Sequence, residues 1–267
     1  MVSLSPLLDS YDQVIIDLDG CVRVGDQAVP GSPEAVAALR GAGKRVAFAT
    51  NNSWQSGEDQ VRQLWALGIQ ASLADVVTVG GAVQHLLAET LSGRSAFVVG
   101  SETLSRHVSG AGLRLVNGTG QAAEAEVVVV GGTDQVGYAD LRDAALSARR
   151  GARFLGTARD PTLPMPEGPW PGTGAILAAI EIASDCTAEI VGKPSPRLME
   201  TAVDRLGEGR TLVIGDRLDS DVAAAGAAGL DAALVLSGPG TGEAAEGGPR
   251  PVAIAETLAA LVGLAEA

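Results

Sequence analysis

Short apolar runs rich in β-branched residues alternate with longer amphipathic stretches along almost the whole chain. The runs at 14–17, 45–50, 76–79, 96–100, 127–130, 153–156, 188–191, 211–214 and 232–236 predict strands. Many are apolar at consecutive positions instead of every second one, which fits strands buried on both faces. Helices are predicted at 33–41 (with Ser32 as N-cap), 57–67, 82–89, 102–109, 138–150, 174–183, 196–206, 219–228 and 254–265. Such alternation gives right-handed crossover units and an α/β fold built on a doubly wound, mostly parallel sheet. A chain of 267 residues has room for two domains or one large one. No internal repeat is present, and the stretches 117–123 and 238–251, rich in Gly, Ala and Pro, read as loops.

The segment 158–172 holds five prolines, so it is neither helix nor central strand. It reads as a rigid binding loop or a plain surface connection.

In an open parallel sheet, ligands bind beyond the carboxyl ends of the strands. Four strand ends carry reactive side chains. The first is Val14-Ile15-Ile16-Asp17-Leu18-Asp19-Gly20, where strand alternation points Asp17 and Asp19 the same way. Two carboxylates so close are costly without compensation, and a divalent cation such as Mg²⁺ prefers carboxylate oxygen. The second end is Thr50-Asn51-Asn52-Ser53, a hydroxyl and two amides. The third is Lys193 in Gly192-Lys193-Pro194-Ser195-Pro196, with Ser195 a helix N-cap and Pro196 the first helical residue. The fourth is Gly215-Asp216-Arg217-Leu218-Asp219-Ser220-Asp221, whose acidic helix start also suits the helix dipole. Taken singly, each is an ordinary polar turn. Together they supply a cation cage (Asp17, Asp19, Asp216), neutral donors (Thr50, Asn51) and a fixed positive charge (Lys193). The ligand that fits is a phosphoryl group held between Mg²⁺ and lysine.

Composition narrows the partners. Net charge is −13 with a pI near 4.5, and aromatics are 3% of the chain. That argues against nucleic acid and anionic membrane surfaces, which want basic patches and stacking rings. No apolar run reaches membrane-span length, and residues 1–20 hold no Lys or Arg, so a charged secretory leader is not expected. Two cysteines, Cys21 and Cys186, make no disulfide framework, and cytoplasmic residence is the expectation. Among 19 basic residues only Lys44 and Lys193 are lysines. Where arginine fills the ordinary basic positions, a retained lysine suits a compact point charge. His85 and His107 read as structural or exposed, Trp65 as core, and Trp54, which follows the second strand end, as a candidate lining of the site.

The four strand ends, in this order and spacing, resemble the haloacid dehalogenase superfamily of phosphohydrolases. Thr50-Asn51-Asn52-Ser53, Gly192-Lys193-Pro194-Ser195-Pro196 and Gly215-Asp216-Arg217-Leu218 are similar to its NagD-like branch of phosphoglycolate, p-nitrophenyl phosphate and glycerol phosphate phosphatases. Asp160-Pro161-Thr162-Leu163-Pro164 and Pro171-Gly172-Thr173-Gly174 lean towards the glycerol phosphate enzymes. The resemblance covers essentially the whole chain. It implies a catalytic core at 1–80 and 188–267, with an α/β cap inserted at 81–187. It implies Asp17 as nucleophile and Asp19 as acid and base. Mg²⁺ would sit on Asp17, the Asp19 carbonyl and Asp216, with Asp221 orienting the metal's waters or Lys193. Thr50, Asn51, Asn52 and Lys193 would hold the phosphoryl oxygens. Arg159, Asp160 and Trp170 of the cap loop would read the leaving alcohol. The chain departs from the branch at Cys21, where Thr is frequent, at Thr78-Val79-Gly80-Gly81, and at Arg159, where Asn is common.

The implied activity is Mg²⁺-dependent hydrolysis of a small phosphorylated metabolite, glycerol 3-phosphate or 2-phosphoglycolate first, with aryl, nucleotide or sugar phosphates as alternatives. Exposed cap surface offers a face for a homodimer. A phospho-signalling receiver also uses an acidic cluster, a Thr and a Lys. The Asp17-x-Asp19 spacing and the large insert count against it. No Gly-x-Gly-x-x-Gly turn follows the first strand, so a dinucleotide-binding enzyme fits poorly.

Overall fold

The computed structural model describes residues 4–165, 168–238 and 248–264. Pro166 and Glu167 of the proline-rich segment, residues 239–247 of the expected second loop and Ala265 of the last expected helix lie outside the described residues. The chain forms two compact units, Met1–Thr50, Gly57–Val77 and Lys193–Ala267 in one, Asn51–Ser56 and Thr78–Gly192 in the other.

The first unit carries a six-stranded sheet. Its order is Ala253–Ala255, Asp231–Val235, Thr211–Gly215, Gln13–Asp17, Arg45–Thr50, Val76–Thr78. The strand Gln13–Asp17 is buried at every position, its apolar run Val14–Ile16 flanked by buried Gln13 and Asp17. It pairs in parallel with Thr211–Gly215 and with Arg45–Thr50. Tyr11, Ile16, Phe48, Leu212, Ile214 and Val235 are among the side chains that close the core around it.

The second unit carries a five-stranded parallel sheet in the order Glu189–Ile190, Arg153–Gly156, Val127–Val130, Ser95–Val99, Arg114–Leu115. Its core includes Phe97, Val128, Phe154, Leu177 and Ile180. The proline-rich segment forms an antiparallel hairpin of its own, Thr162–Met165 with Gly168–Pro171. That agrees with its exclusion from helix and central strand.

Some local expectations are corrected. The run at 188–191, expected in the core, pairs through Glu189–Ile190 with Arg153–Gly156, in the second unit's sheet. The apolar stretch 254–265 is not one helix. Ala253–Ala255 adds an edge strand beside Asp231–Val235, and only Leu258–Val262 is helical. Ser32 is not an N-cap. It is the first residue of helix Ser32–Gly41, and its hydroxyl donates to the Val22 carbonyl at 2.7 Å. Ser195 does not cap either, since Pro196 takes that position before helix Arg197–Leu206. Trp65 is 58% exposed, its indole donating to the Ala71 carbonyl. Among the described residues no helix is long and apolar enough to cross a membrane.

Candidate active site

Strand register builds the site. Asp17 lies opposite Ala49, one residue before Thr50, and Ile16 lies opposite Ile214, two residues before Asp216. Parallel neighbours therefore end together and deliver Asp17, Thr50 and Asp216 to one edge of the sheet. After Asp216 the chain makes a wide π-type turn, Leu218–Val222, before helix Ala223–Ala227. Such turns recur at functional sites. This one turns Asp221 inward, with its Oδ2 accepting from the Arg217 backbone N–H at 3.2 Å. Asp219 faces outward and forks with Arg217.

Lys193 is the centre of the cluster. Its Nζ donates to Oδ1 of Asp17 and, at 2.6 Å, to Oδ1 of Asp221. Asp17, Thr50, Lys193, Asp216 and Asp221 are all buried. Three buried carboxylates thus face one buried ammonium, a formal excess of two negative charges. Burying such an excess is expensive, and a divalent cation is the natural balance. Burial works against the lysine's charge, but Asp17 and then Asp221 outweigh it and hold the proton on the amine. Burial pushes the Asp17 carboxyl well up, Lys193 opposes that, and the Asp221 and Asp19 charges add to it. The direction for the pair is a charged lysine beside a carboxylate that lacks enough positive charge. Burial, then Asp221, raises Asp216 to about 6, against the pull of Lys193.

Ligand atoms of Asp17, Asp216 and Cys21 lie within 4.8 Å of one another. A Cβ on Gly20 would come 2.3 Å from Asp216 Oδ2, and one on Gly238 would come 1.7 Å from it. Glycine at both positions is what leaves Asp216 its place. The two carboxylates in a buried, negatively overcharged pocket fit Mg²⁺. The third expected side chain is not among them. The strand stops at Asp17, so alternation does not carry through to Asp19. The Asp19 side chain is 51% exposed, and its Oδ1 accepts from Arg23 Nε at 2.9 Å. Among the described residues, Asp19 does not join the buried group of Asp17, Cys21 and Asp216.

Other expected residues fall in the second unit. Asn52 Oδ1 accepts from the backbone N–H of Trp54 and of Gln55, which makes it the organiser of its own turn. The Asn51 amide packs against Gly192. Ser53 Oγ accepts from Gly132 N–H at 3.1 Å, and the Trp54 indole packs on Gly132, where a Cβ would meet Nε1 at 2.1 Å. Arg159 forks onto Glu181 at 2.7 and 3.0 Å, while Trp170 is partly exposed on the hairpin. His107 bonds Gln84, and His85 pairs with Glu89 at the surface. Sequence reasoning gave no role to Arg23, Gln60 or Gln63, and noted Cys21 only as a departure.

A parallel sheet whose strand ends gather a buried aspartate, a lysine and a second acidic loop is an arrangement shared by a class of hydrolase, and the chain belongs to it. The pattern of the haloacid dehalogenase-like hydrolases matches residues 14–114, and a HAD-hydrolase-like pattern matches residues 190–261. The chain is 38% identical over 236 residues to D-glycerol 3-phosphate phosphatase of Mycobacterium tuberculosis, which covers 88% of this chain and 65% of that protein. It is 34% identical over 250 residues to chronophin of Homo sapiens, covering 88% of this chain and 84% of that protein. A crystal structure of the Mycobacterium tuberculosis glycerol phosphate phosphatase in complex with magnesium superposes with a TM-score of 0.87 at 36% identity, over 98% of this chain and 79% of that one. These likenesses favour the hydrolase over a phospho-signalling receiver.

Proposed function

We propose that this chain is a Mg²⁺-dependent phosphoric monoester hydrolase that cleaves small phosphorylated metabolites through an aspartyl-phosphate on Asp17. The observation that carries this reading is the buried cluster of Asp17, Asp216 and Asp221 around Lys193 at the sheet's carboxyl edge. Glycerol 3-phosphate is the first substrate to test and 2-phosphoglycolate the second. The 38% identity to the glycerol phosphate enzyme supports that order. Sugar phosphates compete, since a Staphylococcus aureus acid sugar phosphatase is 30% identical.

A carboxylate oxygen of Asp17 attacks phosphorus as the ester oxygen departs. Asp19 gives the departing alkoxide a proton, then takes one from the water that cleaves the aspartyl-phosphate. Lys193 and Thr50, with the Asn51 backbone that follows it, hold the equatorial oxygens over which charge spreads. The resemblance adds Asn52 to this group. Asp221 fixes Lys193 at 2.6 Å. Asp17, Asp216 and the Asp19 carbonyl would hold Mg²⁺, which supplies positive charge between an anionic nucleophile and an anionic ester. The insert at 81–187, and Arg159, Asp160 and Trp170 on it, belong to the same proposal as the elements that select the alcohol.

The test is Asp17→Asn. Released phosphate from wild type and variant, with Mg²⁺ and with chelator, should show turnover by wild type with Mg²⁺ alone. A purified, folded variant retaining more than about a tenth of turnover would refute the covalent role, which is asked for many kcal/mol. Cytoplasmic residence is supported by two free cysteines, and fractionation checks it. A homodimer through the second unit is supported by exposed Tyr138 and Ile182, and light scattering reads it.

A further inference from the structure

Beyond Asp17 the chain folds back at once. The backbone N–H groups of Val22 and Arg23 both donate to the Leu18 carbonyl, and Gly20 N–H donates to the Arg23 carbonyl at 2.7 Å. This tight turn lays the Arg23 side chain alongside Asp19, so that Nε meets Oδ1 at 2.9 Å. Arg23 is 3% exposed. Its other nitrogens are also engaged, Nη2 donating to Gln60 Oε1 at 2.8 Å and Nη1 to Gln63 Oε1. Gln60 and Gln63 are three residues apart on helix Gly57–Ala66, so one helix face presents both amide oxygens.

The chemistry of those partners matters. Amide oxygens fix a guanidinium's plane without neutralising it. Glutamates there would compete for its charge, whereas glutamines leave Asp19 as its carboxylate partner. Asp19 itself is half exposed, a setting in which a carboxyl group with two free torsions samples several rotamers. We propose that Arg23, oriented by Gln60 and Gln63, is the positioning residue for Asp19. It pins Oδ1 and so leaves Oδ2 as the oxygen that holds and moves the proton. The inference rests on the reading of Asp19 as the acid and base of the proposed reaction.

The experiment compares kcat/KM for glycerol 3-phosphate and p-nitrophenyl phosphate in wild type, Arg23→Ala, Arg23→Lys, Gln63→Ala, Asp19→Asn and Arg23→Ala/Asp19→Asn. This parameter covers events up to loss of the alcohol. An alkoxide needs a placed proton to leave and a nitrophenolate does not. Arg23→Ala should lower the glycerol 3-phosphate value by roughly 10- to 100-fold, the scale of a misplaced acid. The aryl value should fall by less than about threefold, as expected for a leaving group that needs no proton. Arg23→Lys keeps the charge without the fork and should fall between. The Arg23 change should add almost nothing once Asp19 is Asn, because the two act as one unit. Gln63→Ala, at a half-buried position, should shift the ratio the same way by less, and it carries the test if Arg23→Ala does not fold. Equal losses on both substrates, or full additivity with Asp19→Asn, would mean that Arg23 only supports the fold. If Asp19→Asn itself left the alkyl-to-aryl ratio unchanged, the acid assignment would fail and take this inference with it, while Asp17 and the metal site stood.

Discussion

Replacing Asp216 with Asn should make the metal-free protein more stable while removing its response to Mg²⁺. Asp216 is 3% exposed, and burial together with Asp221 raises its carboxyl from the ordinary 3.8 to about 6. The folded state therefore binds a proton between these two values that the unfolded chain has released. Stability from that proton is present at low pH and is lost as pH rises through about 6. A shift of about two units at 1.36 kcal/mol each puts the cost of the bare carboxylate near 3 kcal/mol above that pH. Asn keeps the shape without the charge, so at pH 7.5 in chelator the variant should gain up to about 3 kcal/mol. In melting temperature that is several degrees, at roughly 2–4 °C per kcal/mol for a chain of this size. The gain should shrink as pH falls to 5, where wild-type Asp216 is mostly protonated. Added Mg²⁺ should raise the wild-type melting point and leave the variant's nearly unchanged. Melting curves at pH 5 and 7.5, in chelator and in Mg²⁺, read all four arms. A variant that melts below wild type in chelator at pH 7.5, or that gains as much from Mg²⁺, would refute the picture of an overcharged pocket awaiting a cation.

Lys193→Ala should depress every substrate together, because the lysine acts on the phosphoryl group they share. It should also cost about 3–5 kcal/mol in denaturant titrations by leaving Asp17 and Asp221 without their ammonium, and a variant of wild-type stability would contradict that cost. Arg159→Ala, Asp160→Ala and Trp170→Ala should change the ratios of kcat/KM among glycerol 3-phosphate, 2-phosphoglycolate and p-nitrophenyl phosphate, with the activated aryl ester least affected, because remote binding energy serves the poorer leaving groups. Uniform losses would remove the hairpin from specificity. For Arg159 the stability change should stay within about 1 kcal/mol, the value of an exposed pair such as its fork with Glu181.

The parallel strands were legible because burial on both faces writes itself as an unbroken apolar run, as in 14–16 and 127–130. The identity of the sheet each strand joins is not written there. Glu189–Ile190 looks like any core strand until its partner Arg153–Gly156 is seen. Edge strands of three residues, such as Ala253–Ala255, are too short to override a helical spacing of Leu258, Leu261 and Val262 beside them. In the site, Asp17, Lys193 and Asp216 could be found because they stand at strand ends or within three residues of them, and Asp221 because it follows in the same acidic loop. The orientation of Asp19 could not. It is decided by Arg23, whose own partners lie 37 and 40 residues further along the chain.

The order in which the sheet is assembled has a consequence for synthesis. The central strand Gln13–Asp17 is made well before one of its two neighbours, Thr211–Gly215, with Gln13 opposite Thr211. At the ribosome it waits, half paired, while almost two hundred residues emerge. Most of the second unit, Thr78–Gly192, lies between the two strands, and once folded it shortens the span whose ends must still meet. Lys193 is the first residue after that unit, and Asp216 and Asp221 follow it. A nascent chain stalled anywhere before them holds Asp17 without the ammonium and the acidic residues that surround it, so premature release leaves the buried cluster unformed and an unpaired strand exposed to aggregation.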